Sequence, residues 1–261
     1  MIVKRNQKEI ECLRKAGEVV GLCHKYLKQF IKAGVKTKEL DSLAKKFIES
    51  KGCTCSFLGL YDFPGAICIS VNNEVVHGIG GDRVLMDGDI LKLDIGACYK
   101  GYHGDSAWTY VVGNFKNDKD EFLFKHTEEA LFRALKKVKD GVRVGCISHE
   151  IEACAHRYNL GLVRELGGHG VGNEVHMDPI IPNFGSCSDG EILHSGNVIA
   201  IEPVFTSGSR FICLDKDKNT IITNDDSNSA HFEHTILITD TGYEILTRRD
   251  IPLGKEDIIL K

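Results

Sequence analysis

Residues Ile90 to Gly113 read ILKLDIGACYKGYHGDSAWTYVVG, two runs of strand-forming residues joined near Tyr99 and Lys100. The pattern predicts a β-hairpin. With Cys98 opposite Gly101, Asp94 falls directly opposite Asp105 on one face, with Cβ atoms about 4.5 to 5.5 Å apart. Two carboxylates placed so repel each other. An exposed sheet edge would tolerate them, but the neighbours Leu91, Leu93, Ile95, Trp108 and Tyr110 are those of a buried strand. Buried, paired carboxylates call for cations between them.

Two further acids sit in similar surroundings. Glu202 in NVIAIEPVF is held extended by Pro203, and Glu233 in AHFEHTILIT lies between Phe232 and a β-branched run. A nitrogen ligand is best sought at His169 in ELGGHGVGNEVHMDP, where Gly167, Gly168, Gly170 and Gly172 let the backbone approach a ligand closely. Four carboxylates and one imidazole suit a pair of borderline-to-hard divalent ions such as manganese, iron, cobalt or zinc. Such a pair lowers the pKa of a shared water and polarises a carbonyl. His77 and His176 each follow an Asn-Glu-Val sequence. They are either ordinary loop histidines or hydrogen-bond donors entering the same site.

Working outward, helical periodicity covers Asn6 to Ile31 with Gly34 as a stop, and Thr37 to Ser50 with Thr37 as N-cap and Gly52 as terminator. It returns at Lys119 to Lys139 and Ser148 to Asn159. Strand patterns occupy Ala66 to Val76, Asp89 to Val112 and most of the chain from Leu162 onward. The segment from Ala33 aligns with that from Asp140, an offset of 107 residues (140 − 33), matching Gly-Val-basic and then a helix. Two amphipathic helices after a Gly-Val turn would also look alike without a common origin. No Pro/Gly/Ser-rich linker divides the chain, so the expectation is one domain, 1–261, with pseudo-repeats about 1–115 and 116–261.

At 261 residues, with 42% hydrophobic and 27% charged, the chain can build one large core or two modest ones. A net charge of −4 provides no overall basic field for nucleic acid, so no direct sequence-specific nucleic-acid binding is expected. No apolar run approaches the roughly 20 residues that span a bilayer, and the start lacks a secretory stretch. A cytoplasmic protein with no membrane association is expected. The ten cysteines contain no CxxC pair and read as reduced thiols, not a structural zinc site.

Taken together, SVNNEVVHGIG, LKLDIGACYKGYHGDSA, ELGGHGVGNEVHMDP, GNVIAIEP and SAHFEHTILIT resemble the motifs of the methionine aminopeptidases, in order and over essentially the whole chain. The likeness is to the short, bacterial type I form. It implies the α+β pita-bread fold, two pseudo-symmetric αβ halves around a curved antiparallel sheet. It also implies two divalent ions (Co, Mn, Fe, Zn or Ni) on Asp94, Asp105, His169, Glu202 and Glu233, with Asp105 and Glu233 bridging. The implied activity is removal of the initiator methionine when the second residue is small, with a metal-bridging hydroxide as nucleophile. Glu202 would move the proton, while His77 and His176 contact the substrate. The partners implied are the N-termini of nascent polypeptides at the ribosome, met by a monomer.

Phe63 and Cys68 match the family's pocket for the methionine side chain, and an apolar wall with a soft thiol suits a thioether. Leu60, Tyr61 and Val175 depart from the residues common there, which bears on the same pocket. Prolidases and aminopeptidases P share the fold but typically add an N-terminal domain. Non-catalytic relatives usually lose metal ligands, whereas all five positions are filled here.

Overall fold

In the computed structural model, which describes residues 2–250, the first helix, α1 (Gln7–Lys28), starts at a capping box. The Asn6 carboxamide oxygen accepts from the backbone of Lys8 and Glu9, and the Glu9 carboxylate accepts from the Asn6 backbone at 2.8 Å. Such a reciprocal cap is worth about 1 kcal/mol. Met1 and residues 251–261, the tail of the expected second half, lie outside the described residues.

Helices α2 (Thr37–Ser50) and α4 (Val144–Tyr158) start differently from expectation. Thr37 is the first helical residue, not the cap, and α4 begins four residues before Ser148. In both, the free N–H groups of the first turn are satisfied by distant backbone. Thr37 and Lys38 donate to Arg83 and Gly81, and Val144 and Gly145 donate to Glu191 and Asp189. No side chain caps either helix, so neither start leaves a local signal in the sequence. Helix α3 (Asp118–Leu135), capped by Asn117, ends before the expected Lys139.

The strands are β1 (Thr54–Cys55), β2 (Cys68–Val71), β3 (Glu74–Val76), β4 (Ile90–Tyr99), β5 (Tyr102–Val111), β6 (Gly161–Leu162), β7 (Gly167–Gly170) and β8 (Met177–Pro182). They continue as β9 (Val198–Ile201), β10 (Val204–Thr206), β11 (Ile212–Leu214), β12 (Ile221–Thr223), β13 (Ser229–His231), β14 (His234–Thr239) and β15 (Gly242–Ile245). All the pairings between them are antiparallel, in the groups β1-β4-β2 with β5 on β4, β15-β14-β9-β7-β8, β13-β10-β6 and β11-β12-β3.

One core packs α1 and α2 on β2 and β4 through Val20, Leu27, Phe47, Ile69 and Leu93. The other packs α3 and α4 on β9 and β14 through Leu131, Ile151, Ile199 and Ile236. At Gly104 the sheet meets α1 so closely that a Cβ would lie 2.6 Å from the Gly17 nitrogen. The N-terminal hairpin joins the C-terminal strands through side chain to backbone bonds. The Thr109 hydroxyl donates to His231 O and accepts from His231 N, and the Ser106 hydroxyl donates to Glu233 O. Glu233 N donates to Ala107 O, and the Thr235 hydroxyl bridges Asp105 N and O. This seam holds residues 105–109 against 231–235.

Candidate metal centre

The central hairpin corrects the expected register. Its turn is Lys100–Gly101, both at positive φ (51° and 81°), the two-residue geometry that matches strand twist. Tyr99 therefore pairs with Tyr102, Asp94 with Ala107 and Asp105 with Gly96. Asp94 and Asp105 are diagonal neighbours, not direct partners. The shift is an even number of residues, so both still point to one face.

Onto that face the fold brings every acid singled out above. Asp94 comes from β4, Asp105 from β5, Glu202 from the link between β9 and β10, and Glu233 from the link between β13 and β14. Atoms of Asp94, Asp105 and Glu233 lie within 4.8 Å of one another, as do those of His169, Glu202 and Glu233. His169 on β7 has Nδ1 3.0 Å from Gly170 O, and since a carbonyl only accepts, Nδ1 carries the hydrogen. Its Nε2 lone pair then faces Asp105 Oδ2 at 3.8 Å and Glu202 Oε1 at 3.6 Å. A backbone partner on the far nitrogen is the arrangement metal-bound imidazoles adopt.

Asp94 Oδ1, Asp105 Oδ1 and Glu233 Oε1 are buried without a hydrogen-bond partner. Unpartnered buried carboxylate oxygens are costly, and this oxygen-rich set with one imidazole fits divalent cations. Without them, burial pushes Asp94 and Glu202 up to about 7. Burial, reinforced by the neighbouring carboxylates, takes Asp105 and Glu233 well above the usual range.

A carboxylate whose pKa is raised by folding binds more protons folded than unfolded, so its contribution to stability falls as pH rises from its unfolded value to its folded one. The metal-free protein is accordingly destabilised by these groups between about pH 4 and pH 7 and beyond. Divalent ions remove that penalty and bind better once the protons are gone. We expect the gap in Tm between manganese-loaded and chelated protein to widen as pH rises from 5 to 8. A gap that stays constant or narrows would contradict the clustering of the four acids.

His176 lies beside this set, its ring 4.5 Å from that of His169. His77 follows β3 at φ 59°, and both histidines line the same cleft of about 790 Å³ while remaining open to solvent. Burial against the cleft wall lowers the pKa of each, with nearby His231 adding to the effect for His77 and nearby His77 for His176. Phe63, Cys68 and Leu60 reach the cleft, where Phe63 and Cys68 pack with Phe57. Cys68 is the β2 partner of Asp94, so this apolar end adjoins the acids. Tyr61 stands at the mouth, 82% exposed. Val175 is buried in the same apolar cluster as Phe57, Phe63 and Cys68 and is not among the side chains that line the cleft.

Sequence reasoning missed two residues. His231 is fully buried with Nε2 3.3 Å from Glu202 Oε2, and burial lowers its pKa to about 4, so it is neutral. It precedes Glu233 by two, a spacing that places both on one face of an extended segment, and that was the available signal. Phe57 precedes the pocket residues in a stretch without periodicity and left none.

The sequence pattern of metallopeptidase family M24 matches residues 11–240. Methionine aminopeptidase 1 of Bacillus subtilis is 49% identical over 95% of this chain and 100% of its own. The crystal structure of a methionine aminopeptidase from Thermotoga maritima superposes with a TM-score of 0.93 at 38% identity, over 95% of this chain and 100% of that one. A prolidase from Pyrococcus furiosus shares the fold alone, with a TM-score of 0.77 at 24% identity over 95% of this chain and 66% of that one. The architecture is thus the pita-bread fold, and the activity is that of a metal-dependent methionyl aminopeptidase, a hydrolase of peptide N-termini. The chain belongs to metallopeptidase family M24 and, within it, to the bacterial type I methionine aminopeptidases.

Proposed function

We propose that the chain removes the initiator methionine from nascent polypeptides whose second residue is small, using two divalent ions held by Asp94, Asp105, His169, Glu202 and Glu233. The observation that carries this reading is the set of orphaned, buried carboxylate oxygens facing one cleft beside an imidazole whose Nε2 is free. Asp105 and Glu233 each belong to two of the potential ligand sets and would help to hold both ions. When bound, the ions activate a shared water and polarise the scissile carbonyl. Glu202 accepts the water's proton and delivers it to the leaving amine, its carboxylate lying beside His169 and His231 in the cleft. His176 donates to the oxyanion, and His77 orients the scissile amide. Phe57, Phe63, Cys68 and Leu60 receive the methionine side chain, and Tyr61 flanks the way in.

The same reading has a monomeric, cytoplasmic enzyme meeting nascent chains at the ribosome, and one catalytic domain, 1–261, of two related halves, about 1–115 and 116–261. The parallel backbone capping of α2 and α4 supports the relation between the halves. Among the described residues no helix is long and apolar enough to cross a membrane.

Competition between Met-Ala-Ser and Met-Ile-Ser in one tube, with manganese and after chelation, tests the specificity. Overfilling a tight subsite costs about 1 to 3 kcal/mol, so Met-Ala-Ser should win by roughly 10- to 200-fold. Equal rates would make it an aminopeptidase of broad specificity, and activity surviving chelation would remove the metal assignment.

A further inference from the structure

Lys92 is the one lysine among the described residues that is buried, at 2% exposure, and the mechanism above gives it no task. It lies on β4 two residues before Asp94, so its side chain leaves the same face of the strand. Its Nζ donates to Asn72 O at 2.7 Å, Ser229 O at 3.2 Å and Ser229 Oγ at 3.2 Å. The Ser229 hydroxyl in turn reaches Glu74 O at 3.1 Å. Every one of these partners is a carbonyl or hydroxyl oxygen, and none is a carboxylate. A buried amine held by hydrogen bonds to three oxygens carries a desolvation cost that an apolar side chain filling the same space would not.

The three segments that meet at this amine each lead to the centre. Asn72 and Glu74 belong to the turn and strand that end at His77. Ser229 opens β13, which runs to His231 and Glu233. Lys92 itself precedes Asp94. Asn72 O also accepts from the Ser229 backbone, and the Asn72 carboxamide binds Ile90 N, so the turn is gripped from both halves at one place.

We propose that Lys92 is a positioning residue, a buried amine whose cage of carbonyl and hydroxyl oxygens sets the mutual placement of Asp94, His77 and Glu233. Several hydrogen bonds from one buried nitrogen fix the oxygens they reach in direction as well as distance. A shortened side chain would leave the acceptor oxygens of Asn72 and Ser229 available to a free ammonium ion.

The inference rests on the assignment of Asp94 and Glu233 as ligands, and the test separates the two. Manganese binding to purified protein is measured by calorimetry, alongside kcat and KM on Met-Ala-Ser, for wild type, Asp105→Asn, Lys92→Met, Lys92→Ala and Ser229→Ala. Lys92→Met should weaken manganese binding and lower kcat by about tenfold or more, with KM changed less, on the scale typical for residues that orient metal ligands. Ser229→Ala, which removes one cage contact and keeps the lysine, should move both in the same direction by a smaller factor. Ammonium chloride should restore part of the loss in Lys92→Ala, and tetramethylammonium chloride at equal ionic strength should not, since it is too large for the cage.

Lys92→Met with wild-type manganese affinity and kcat would overturn the proposal. So would equal recovery with both salts, which would reduce the effect to ionic strength. If Lys92→Met does not fold, an unchanged Ser229→Ala overturns it equally. Failure of the ligand assignment itself would show separately, as unimpaired manganese binding in Asp105→Asn.

Discussion

Asp105→Asn should reduce kcat/KM by at least about 10³, roughly 4 kcal/mol of transition-state stabilisation, while the fold persists. The substitution keeps shape and removes charge at the residue whose carboxylate belongs to two of the potential ligand sets, one with His169 and His176 and one with Asp94 and Glu233. Its main chain is held by the Thr235 hydroxyl whatever the side chain carries. An unfolding artefact can be recognised. Removing one of four mutually repelling, buried acids should leave the chelated variant at least as stable as chelated wild type at pH 8. Retention of more than about a tenth of wild-type kcat/KM would remove Asp105 from the metal-binding set.

His176→Ala should lower kcat by about 10² to 10³, some 2.7 to 4 kcal/mol, and leave manganese affinity nearly unchanged. The side chain sits next to His169 but is open to the cleft, and burial together with His77 and His103 keeps its pKa below the usual imidazole value. It is therefore neutral at pH 7 and offers an N–H without carrying a charge that would repel the ions. Because His176 can also approach Asp105 and His169 closely enough to share an ion, the affinity measurement decides between two roles. A collapse of manganese binding in the variant would make it a ligand.

The acids of the centre were legible because each stands in or next to an apolar strand, where a carboxylate has no structural reason to be. His169 was legible from the glycines around it. The hairpin register was not, since it turns on whether Tyr99–Lys100 or Lys100–Gly101 makes the turn. Alternating sequence fits both, and only the positive φ at Lys100 and Gly101 separates them. The starts of α2 and α4 were hidden for another reason, their caps being supplied by backbone about 45 residues downstream. His231 escaped notice as a histidine flanked by small and aromatic residues, the setting of an ordinary core imidazole.

The seam between residues 105–109 and 231–235 also bears on how tightly ions can be held. In a loose chain carrying the same donors, gathering Asp94 and Glu233 would mean closing a loop of well over a hundred residues, an entropic cost of about 4 to 5 kcal/mol. The hydroxyl bonds of Thr109, Ser106 and Thr235 have already met that cost before any ion arrives. Metal affinity in this protein is thus partly a property of chain connectivity. Weakening the seam at Thr235, whose hydroxyl bonds go to the main chain of Asp105, should loosen the ions through the disorder it restores.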